Sequence, residues 1–354
     1  MSGETKAQWY IHHIKDDWYF SIDKAPLSYR AWVLQERFLS PRIIHFGLNR
    51  LFWECCESRA AETLSSSSLQ ESFRNFKNLP SGIRENEDDD VRLHKAWWDI
   101  VSRYSQCQLA VASDKLPALA GLASRFCRQL QLNADDYAAG IWRTTLPDAL
   151  LWRTAQSYSR RDQVARVPGR APSWSWASID GMVEMSVFTS RYGCQYIKIL
   201  KCATFLKSHP FGEVTGGYVH LQAPLLKVQV TGDNGHPSLA EIVSASVKRT
   251  KPLSMLQKLI QWDESMSAGV EGVVGFLLFD GCRRKLSYED HDHVSGLIMQ
   301  PTGRKSGQFQ RLGFLSGEID GFDAILKRAL NPRYLPPDWY MASDHDKGFT
   351  IELV

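Results

Sequence analysis

The stretch from Ala25 to Arg59, APLSYRAWVLQERFLSPRIIHFGLNRLFWECCESR, narrows the architectures open to this chain. It sets a helix period, a stop and two strand periods in direct succession. Leu27, Ala31, Leu34 and Phe38 recur at i, i+4, i+7 and i+11, the spacing of one apolar helix face, and predict a helix over about 27–40. Ser28 is of the N-capping type, and Pro41 ends the helix because its ring keeps the preceding residue out of helical geometry. Arg42-Ile43-Ile44-His45-Phe46 and Arg50-Leu51-Phe52-Trp53-Glu54 then read as strands, joined by Gly47-Leu48-Asn49, a three-residue hairpin connection. Arg30 and Arg37 lie two helical turns apart on one face, placed to hold the carboxylates of Glu36 and Glu54. Arg30, Trp32, Gln35, Glu36 and Arg37 are therefore expected to dock the helix onto the hairpin.

The rest of the chain divides by pattern. Residues 1–24 carry His12, His13, Asp16 and Asp17 in i, i+4 pairs, which read more simply as a solvated helix face than as metal ligands, since no third ligand is indicated. Residues 57–90 hold the serine run Ser65 to Ser68 and the acidic block Glu85 to Asp90, and read as a mobile linker. Residues 91–168 return to helical period. Leu93, Trp97, Val101 and Tyr104 mark one helix. A second, capped by Ser113 or Asp114, buries Leu116, Leu119, Ala120, Ala123, Phe126, Cys127 and Leu130. Gly140 reads as a break, and Pro147 as the first turn of a third helix holding Ala149, Leu150 and Trp152, so that the helical layer runs over about 27–40 and 91–157.

Residues 169–354 read as β-rich. Trp174 and Trp176 alternate with Ser173, Ser175 and Ala177 at period two, predicting a strand with one aromatic face that ends at Gly181. Further strands are expected at Tyr196 to Leu200, Tyr218 to Leu221, Leu225 to Val230, Val273 to Phe279, Val294 to Met299, Phe309 to Leu315 and Phe349 to Val354. A polar loop with a short helix near Leu253 to Trp262 interrupts them. The fold class expected is α+β: a helical layer packed with a β-hairpin and a C-terminal antiparallel sandwich or distorted barrel.

The order RxWxxQER, LSPRxxHFG, LFWEC resembles the fungal heterokaryon-incompatibility (HET) domain family, and Arg30, Trp32, Gln35, Glu36, Arg37, Pro41, Arg42, His45, Phe46, Trp53 and Glu54 match its pattern. DKLPALAGLA (Asp114 to Ala123), YAAGIWRxxLPxALLW (Tyr137 to Trp152) and RAPSWSWASIDG (Arg170 to Gly181, with Trp174 and Trp176) extend the resemblance into that family's C-terminal region. In the family a longer α/β segment precedes the matched stretch. Here about two dozen residues do, without its apolar strands, so residues 1–56 look like the remnant of a HET domain's end. The resemblance implies non-self recognition or programmed cell-death signalling in a fungus by a protein that is non-catalytic as it stands. The alternatives are a TIR-like NAD-cleaving hydrolase, with a site built from Glu36, Arg30 and the tryptophan strand, and a structural interaction module with no cell-death role.

Searches for chemistry return little. Cys55 and Cys56 follow a strand whose partner carries His45, but adjacent side chains point to opposite faces and nothing activating surrounds them. His291-Asp292-His293 has metal-ligand types on one short loop, and Gly303 to Gly307 holds fragments of a phosphate loop without the P-loop spacing. No catalytic, cofactor or metal set is expected. A net charge of +3 over 354 residues gives no concentrated basic face for nucleic acid. Seven cysteines without repeating spacing suit reduced thiols in the cytoplasm. No apolar run approaches a membrane span, and the N-terminal residues carry no secretory pattern. The partners expected are proteins, of no readable identity.

Overall fold

The computed structural model describes residues 18–62, 89–155, 164–185, 194–233, 236–241, 260–263, 272–286, 289–319 and 322–354. The chain is α+β and divides into two compact units, residues 1–87 with 107–109 and residues 88–106 with 110–354. The readings made for His12 to Asp17, Ser65 to Ser68 and Glu85 to Asp88 lie outside the described residues, as does 253–259 of the short helix expected there.

In the first unit the expected single helix is two pieces. A 3₁₀ turn, Pro26–Tyr29, precedes helix α1, Ala31–Leu39, and Arg30 between them is extended (φ −90°, ψ 126°). The break has a cause: the Tyr29 carbonyl and the Ala31 amide pair with the Gln108 backbone at 2.6 and 3.1 Å, so they are lost to the helical ladder. Leu27 consequently leaves the apolar stripe and is exposed. Ser28 caps nothing, its hydroxyl donating to the Ile22 carbonyl at 2.5 Å. Strands β1 (Arg42–Phe46) and β2 (Leu51–Cys55) form the expected hairpin. A third strand, β3 (Arg59–Ala61), extends it where the sequence had read as linker.

Register sorts the sheet's side chains. His45 lies opposite Phe52, and Ile43 opposite Glu54, so these four share the inner face with Arg59 and Ala61. Trp18, Ile22, Phe52 and Ala61 make the small core there.

The second unit opens with α2 (Asp89–Ser105), which buries Trp97, Trp98, Ile100, Val101 and Tyr104. It continues with α3 (Pro117–Gln129), which buries Ala118, Leu119, Leu122, Ala123, Phe126 and Cys127. Ser113 and Asp114 lie in a 3₁₀ turn and do not cap α3, whose N-cap is Leu116. Three two-stranded pairings follow: β4 (Tyr137–Ala138) with β5 (Ile141–Trp142), β6 (Trp152–Thr154) with β9 (Val183–Met185), and β7 (Ala165–Arg166) with β8 (Ile179–Asp180).

The third helix expected after Pro147 is only a 3₁₀ turn, Asp148–Leu150, before strand β6. Its carbonyls are taken by a distant residue, because Arg311 Nη1 and Nη2 donate to Leu150 and Trp152 oxygens at 2.5 Å each. The expected tryptophan strand is likewise a turn and a 3₁₀ segment, Trp176–Ser178. The Ser175 hydroxyl explains this: it accepts from the Ala177 amide at 3.0 Å and donates to the Ala139 carbonyl at 2.5 Å, an arrangement that competes with a strand ladder.

The remaining strands are β10 (Cys194–Gln195), β11 (Lys198–Leu206), β12 (Val214–Ala223), β13 (Leu225–Asp233), β14 (His236–Glu241), β15 (Ile260–Trp262), β16 (Gly272–Leu286), β17 (Glu289–Pro301), β18 (Gln308–Ile319), β19 (Ala342–Asp344) and β20 (Gly348–Leu353). Helix α4, Phe322–Ala329, sits between β18 and β19. The expected sandwich or barrel takes the form of one curled sheet, ordered β11-β12-β20-β18-β17-β16-β13-β14. It is mixed rather than purely antiparallel, since β18 and β20 run parallel. Two loop readings become strands: 231–233 and 236–241 pair in β13–β14, and 260–262 pairs with β18. His291 to His293 lie inside β17 rather than on a loop.

Five tryptophans, Trp97, Trp142, Trp152, Trp174 and Trp176, are fully buried in this unit. Trp97 and Trp142 meet edge to face at 5.6 Å, and both pack on Phe126. The Trp97 and Trp176 indoles both donate to the Gly140 carbonyl, at 2.8 and 2.9 Å. Gly140 follows Ala139 in the two-residue turn between β4 and β5, both with positive φ (47° and 93°), the geometry that a tight hairpin of this kind requires. Among the described residues, no helix is long and apolar enough to cross a membrane.

Candidate functional site

Glu54 is the centre of a dense polar cluster among the described residues of the first unit. It points inward from β2 and its side chain is 4% exposed. Arg37, from the last turn of α1, donates to it as a fork, Nε to Oε2 at 2.7 Å and Nη2 to Oε1 at 3.1 Å. Arg59 of β3 adds a bond to Oε1 at 3.2 Å. His45 of β1 places Nε2 at 3.1 Å from Oε2, and a carboxylate can only accept, so that nitrogen carries the proton. The third amine of Arg37, Nη1, reaches Asp23 at 3.1 Å. The Arg59 guanidinium lies 4.5 Å from the Trp18 ring centroid, and Trp18 meets His45 and Phe52 edge-on.

This arrangement decides what Glu54 does chemically. Burial pushes its carboxyl upward, but the hydrogen bonds from His45 and Arg37 and the charges of Arg37 and Arg59 outweigh it, holding the group far below the usual carboxylate range. Burial also opposes the charge of Arg37, and the bonds and charges of Glu54 and Asp23 more than restore it. A general base needs a pKa near the working pH and an open lone pair. Glu54 stays ionised and accepts four hydrogen bonds, which fill the acceptor capacity of a carboxylate. The cluster is built to hold α1 against the sheet.

The expected site residues divide between four places. Arg37, His45 and Glu54 converge as described. Arg30 is the exposed N-cap of α1 and lies outside the cluster around Glu54. Glu36 is exposed as well, so only the Arg37–Glu54 half of the expected carboxylate clamp forms. Trp32 is 41% exposed, Gln35 is half-buried and Pro41 is exposed beyond the helix. Arg42, Phe46 and Trp53 fall on the outer face of the sheet, opposite His45 and Glu54. Cys55 shares that outer face, so it makes no pair with His45. Its thiol is lowered by bonds from Ser58 and the Glu57 backbone.

Trp174 and Trp176 lie in the core of the second unit with no exposed surface, so they present no open aromatic face. Asp23, Arg59 and Trp18 were not anticipated. Arg59 stands inside the quoted stretch, but only the short third strand brings it back to Glu54.

The second unit has its own charged centre. Arg311, fully buried on β18, donates Nε to Asp263 Oδ2 at 2.8 Å and Nη2 to Oδ1 at 3.2 Å, and its guanidinium lies 3.5 Å from the Trp152 ring centroid. Arg166 Nη2 adds bonds to Asp263 Oδ2 at 3.2 Å and to the Arg311 carbonyl at 2.9 Å. Burial lowers the Arg311 pKa despite Asp263. A shallow cleft of about 230 Å³, lined by Tyr196, Ile197, Lys198, Gln222, Pro224, Asp346 and Lys347, contains none of the expected residues. Among the described residues, no group of three His, Cys, Asp or Glu side chains is placed to hold a metal. No protein-family model, curated protein or solved structure matches this chain.

Proposed function

We propose that this chain is a heterokaryon-incompatibility-type protein of a fungus, acting by protein–protein contact in non-self recognition or programmed cell-death signalling, in the cytoplasm and without catalysis of its own. The observation that carries the reading is the use made of the residues that resemble the family. Arg37, His45 and Glu54, drawn from three elements, spend their polar atoms on one another. Trp174 and Trp176 are enclosed in a core. Both sets act as scaffold, which supports a role carried by the surfaces they hold in place rather than by these residues acting on a substrate.

Induced expression in a filamentous fungus tests the signalling role. Growth arrest by the intact chain, relieved by Glu54→Ala at equal protein level, supports it, and healthy growth at high expression refutes it. Incubation of the purified chain with NAD tests the absence of catalysis. Nicotinamide release that scales with protein and disappears in Glu36→Gln would replace this reading with the hydrolase.

A further inference from the structure

Two buried cations of the second unit lean on one half-solvated carboxylate. Lys115 ends the 3₁₀ turn before α3, and its side chain is 3% exposed. The side chain of Arg170 is 4% exposed. Both reach the same oxygen, Asp180 Oδ1, which lies 3.8 Å from Lys115 Nζ and 2.8 Å from Arg170 Nη1. Asp180, on β8, is itself 51% exposed. The Tyr104 and Trp176 rings stand behind the ammonium, their centroids 5.8 and 6.0 Å from Nζ. Enclosed cations of this kind are rare in proteins and create a strong local demand for negative charge.

The guanidinium fork of Arg170 is only half used. Nε donates to the Ala177 carbonyl at 2.7 Å, and Nη1 adds a long bond to the Ala112 carbonyl at 3.5 Å beside its contact with Asp180. Nη2 is buried and has no hydrogen-bond partner among the described residues. Buried donors of native proteins are ordinarily satisfied, and an orphan on a charged group is the costlier kind. Nη1 and Nη2 stand side by side, at the spacing that takes two oxygens of one carboxylate or phosphate. Asp180 meets this fork with one oxygen, on Nη1 alone.

We propose that Lys115 and Arg170 form a binding site for a phosphate group, with Asp180 as the internal anion that the ligand displaces. A phosphate group carries roughly 1.5 to 2 negative charges at pH 7, against one for the carboxylate it replaces. Its oxygens suffice for Nη1, Nη2 and Nζ together. Size is limited as well, because both cations are enclosed and Asp180 alone of the three reaches far into solvent. The site therefore takes a small anion, either free phosphate or the phosphate end of a slim monoester. The proposal does not rest on the heterokaryon-incompatibility reading, which the growth assay tests separately.

Thermal melts and titration calorimetry of the full chain in sodium phosphate, against sodium chloride at equal ionic strength, test the site. The expected result is a saturable rise in Tm that chloride does not reproduce. Asp180→Asn removes the competing carboxylate and keeps its shape. In chloride this variant should melt lower, because the two cations lose their shared oxygen. It should bind phosphate about fivefold or more tightly than the intact chain, so that phosphate restores its Tm. Arg170→Lys keeps the charge but not the fork and should bind phosphate at least about tenfold more weakly. Phenyl phosphate separates the sources: competition with inorganic phosphate assigns the site to phosphate esters, and binding of inorganic phosphate alone assigns it to the free ion. Phosphate that raises Tm no more than chloride overturns the proposal. So does binding that Arg170→Lys leaves unchanged, or that Asp180→Asn fails to tighten, and this last arm decides the matter if Arg170→Lys does not fold.

Discussion

Replacing Gly140 with alanine adds one methyl group at the point where two tryptophans converge. An added Cβ would stand 2.8, 2.9 and 3.0 Å from Nε1, Cε2 and Cζ2 of Trp176, distances that real Cβ atoms almost never show. Trp176 has nowhere to retreat: it is fully buried and its indole donates to the carbonyl of Gly140 itself. Two costs add. An L-residue at φ +93° loses roughly 1–2 kcal/mol, and overpacking a filled core loses about 1–3 kcal/mol more. The expected destabilisation is about 3–4 kcal/mol, which for a unit of this size lowers Tm by about 6–15 °C.

Gly303→Ala is the control, since φ there is +68° and an added Cβ meets nothing within 4 Å. It should pay the backbone cost alone, about 1–2 kcal/mol. Far-UV circular dichroism melts and urea titrations of the two variants read the difference. Trp176→Phe trims the crowding ring, so the pair Gly140→Ala/Trp176→Phe should cost at least about 1 kcal/mol less than the sum of the singles. If Gly140→Ala falls within about 0.5 kcal/mol of Gly303→Ala, the packing argument around the shared carbonyl is wrong.

Glu54→Ala strands Arg37, Arg59 and His45 without their common acceptor and should cost about 3–5 kcal/mol in the first unit, read as lost amide-exchange protection in β1 and β2. Because folding depresses the Glu54 pKa, its contribution is fully present above the ordinary carboxylate range and is lost as pH falls towards the depressed value. An acid titration by circular dichroism should show the first unit intact at pH 5–7 and weakening only below about pH 4, with Glu54→Gln flattening the profile. Arg311→Met leaves the Leu150 and Trp152 carbonyls unpaired and Asp263 short of one cation, a loss of about 3–5 kcal/mol by thermal melt. Arg311→Lys should rescue little of it, because an ammonium cannot span the same fork. Ser175→Ala removes a donor to Ala139 and an acceptor for Ala177, and should lower stability by about 1–2 kcal/mol in the same assay.

Local pattern carried the first hairpin, most of the buried faces of α2 and α3 and seven strands of the large sheet, because each is a short run whose period shows in adjacent residues. On α3 the face is turned slightly, with Ala118 and Leu122 buried and the expected Ala120 and Leu130 only half-buried. Pattern failed where a distant group outbid the local preference. The α1 helix starts late because Gln108 takes its first backbone groups, and the expected third helix is cut short because Arg311 takes its carbonyls. Trp174 and Trp176 alternate as in a strand, yet the hydroxyl of Ser175 bends the chain between them. Arg37 and Glu54 were readable as partners from their places on a helix and a hairpin. Arg59 was not, since a three-residue strand after a tight turn has too few residues to show a period. Arg311 did carry a signal, a lone charge in the apolar run FQRLGFL, but its carboxylate stands far off among polar residues.

The order of strands in the large sheet sets a schedule for making this protein. β20 lies between β12 and β18, although the ribosome delivers those two strands well before Gly348 to Leu353. Until those residues arrive, β12 keeps an unsatisfied edge along Val219 to Ala223, and Gln308 and Phe309 of β18 lack their partners, the kind of surface that recruits neighbouring nascent chains. Translation that stalls after β18 would therefore leave a sticky intermediate, for which chaperone binding is the natural safeguard.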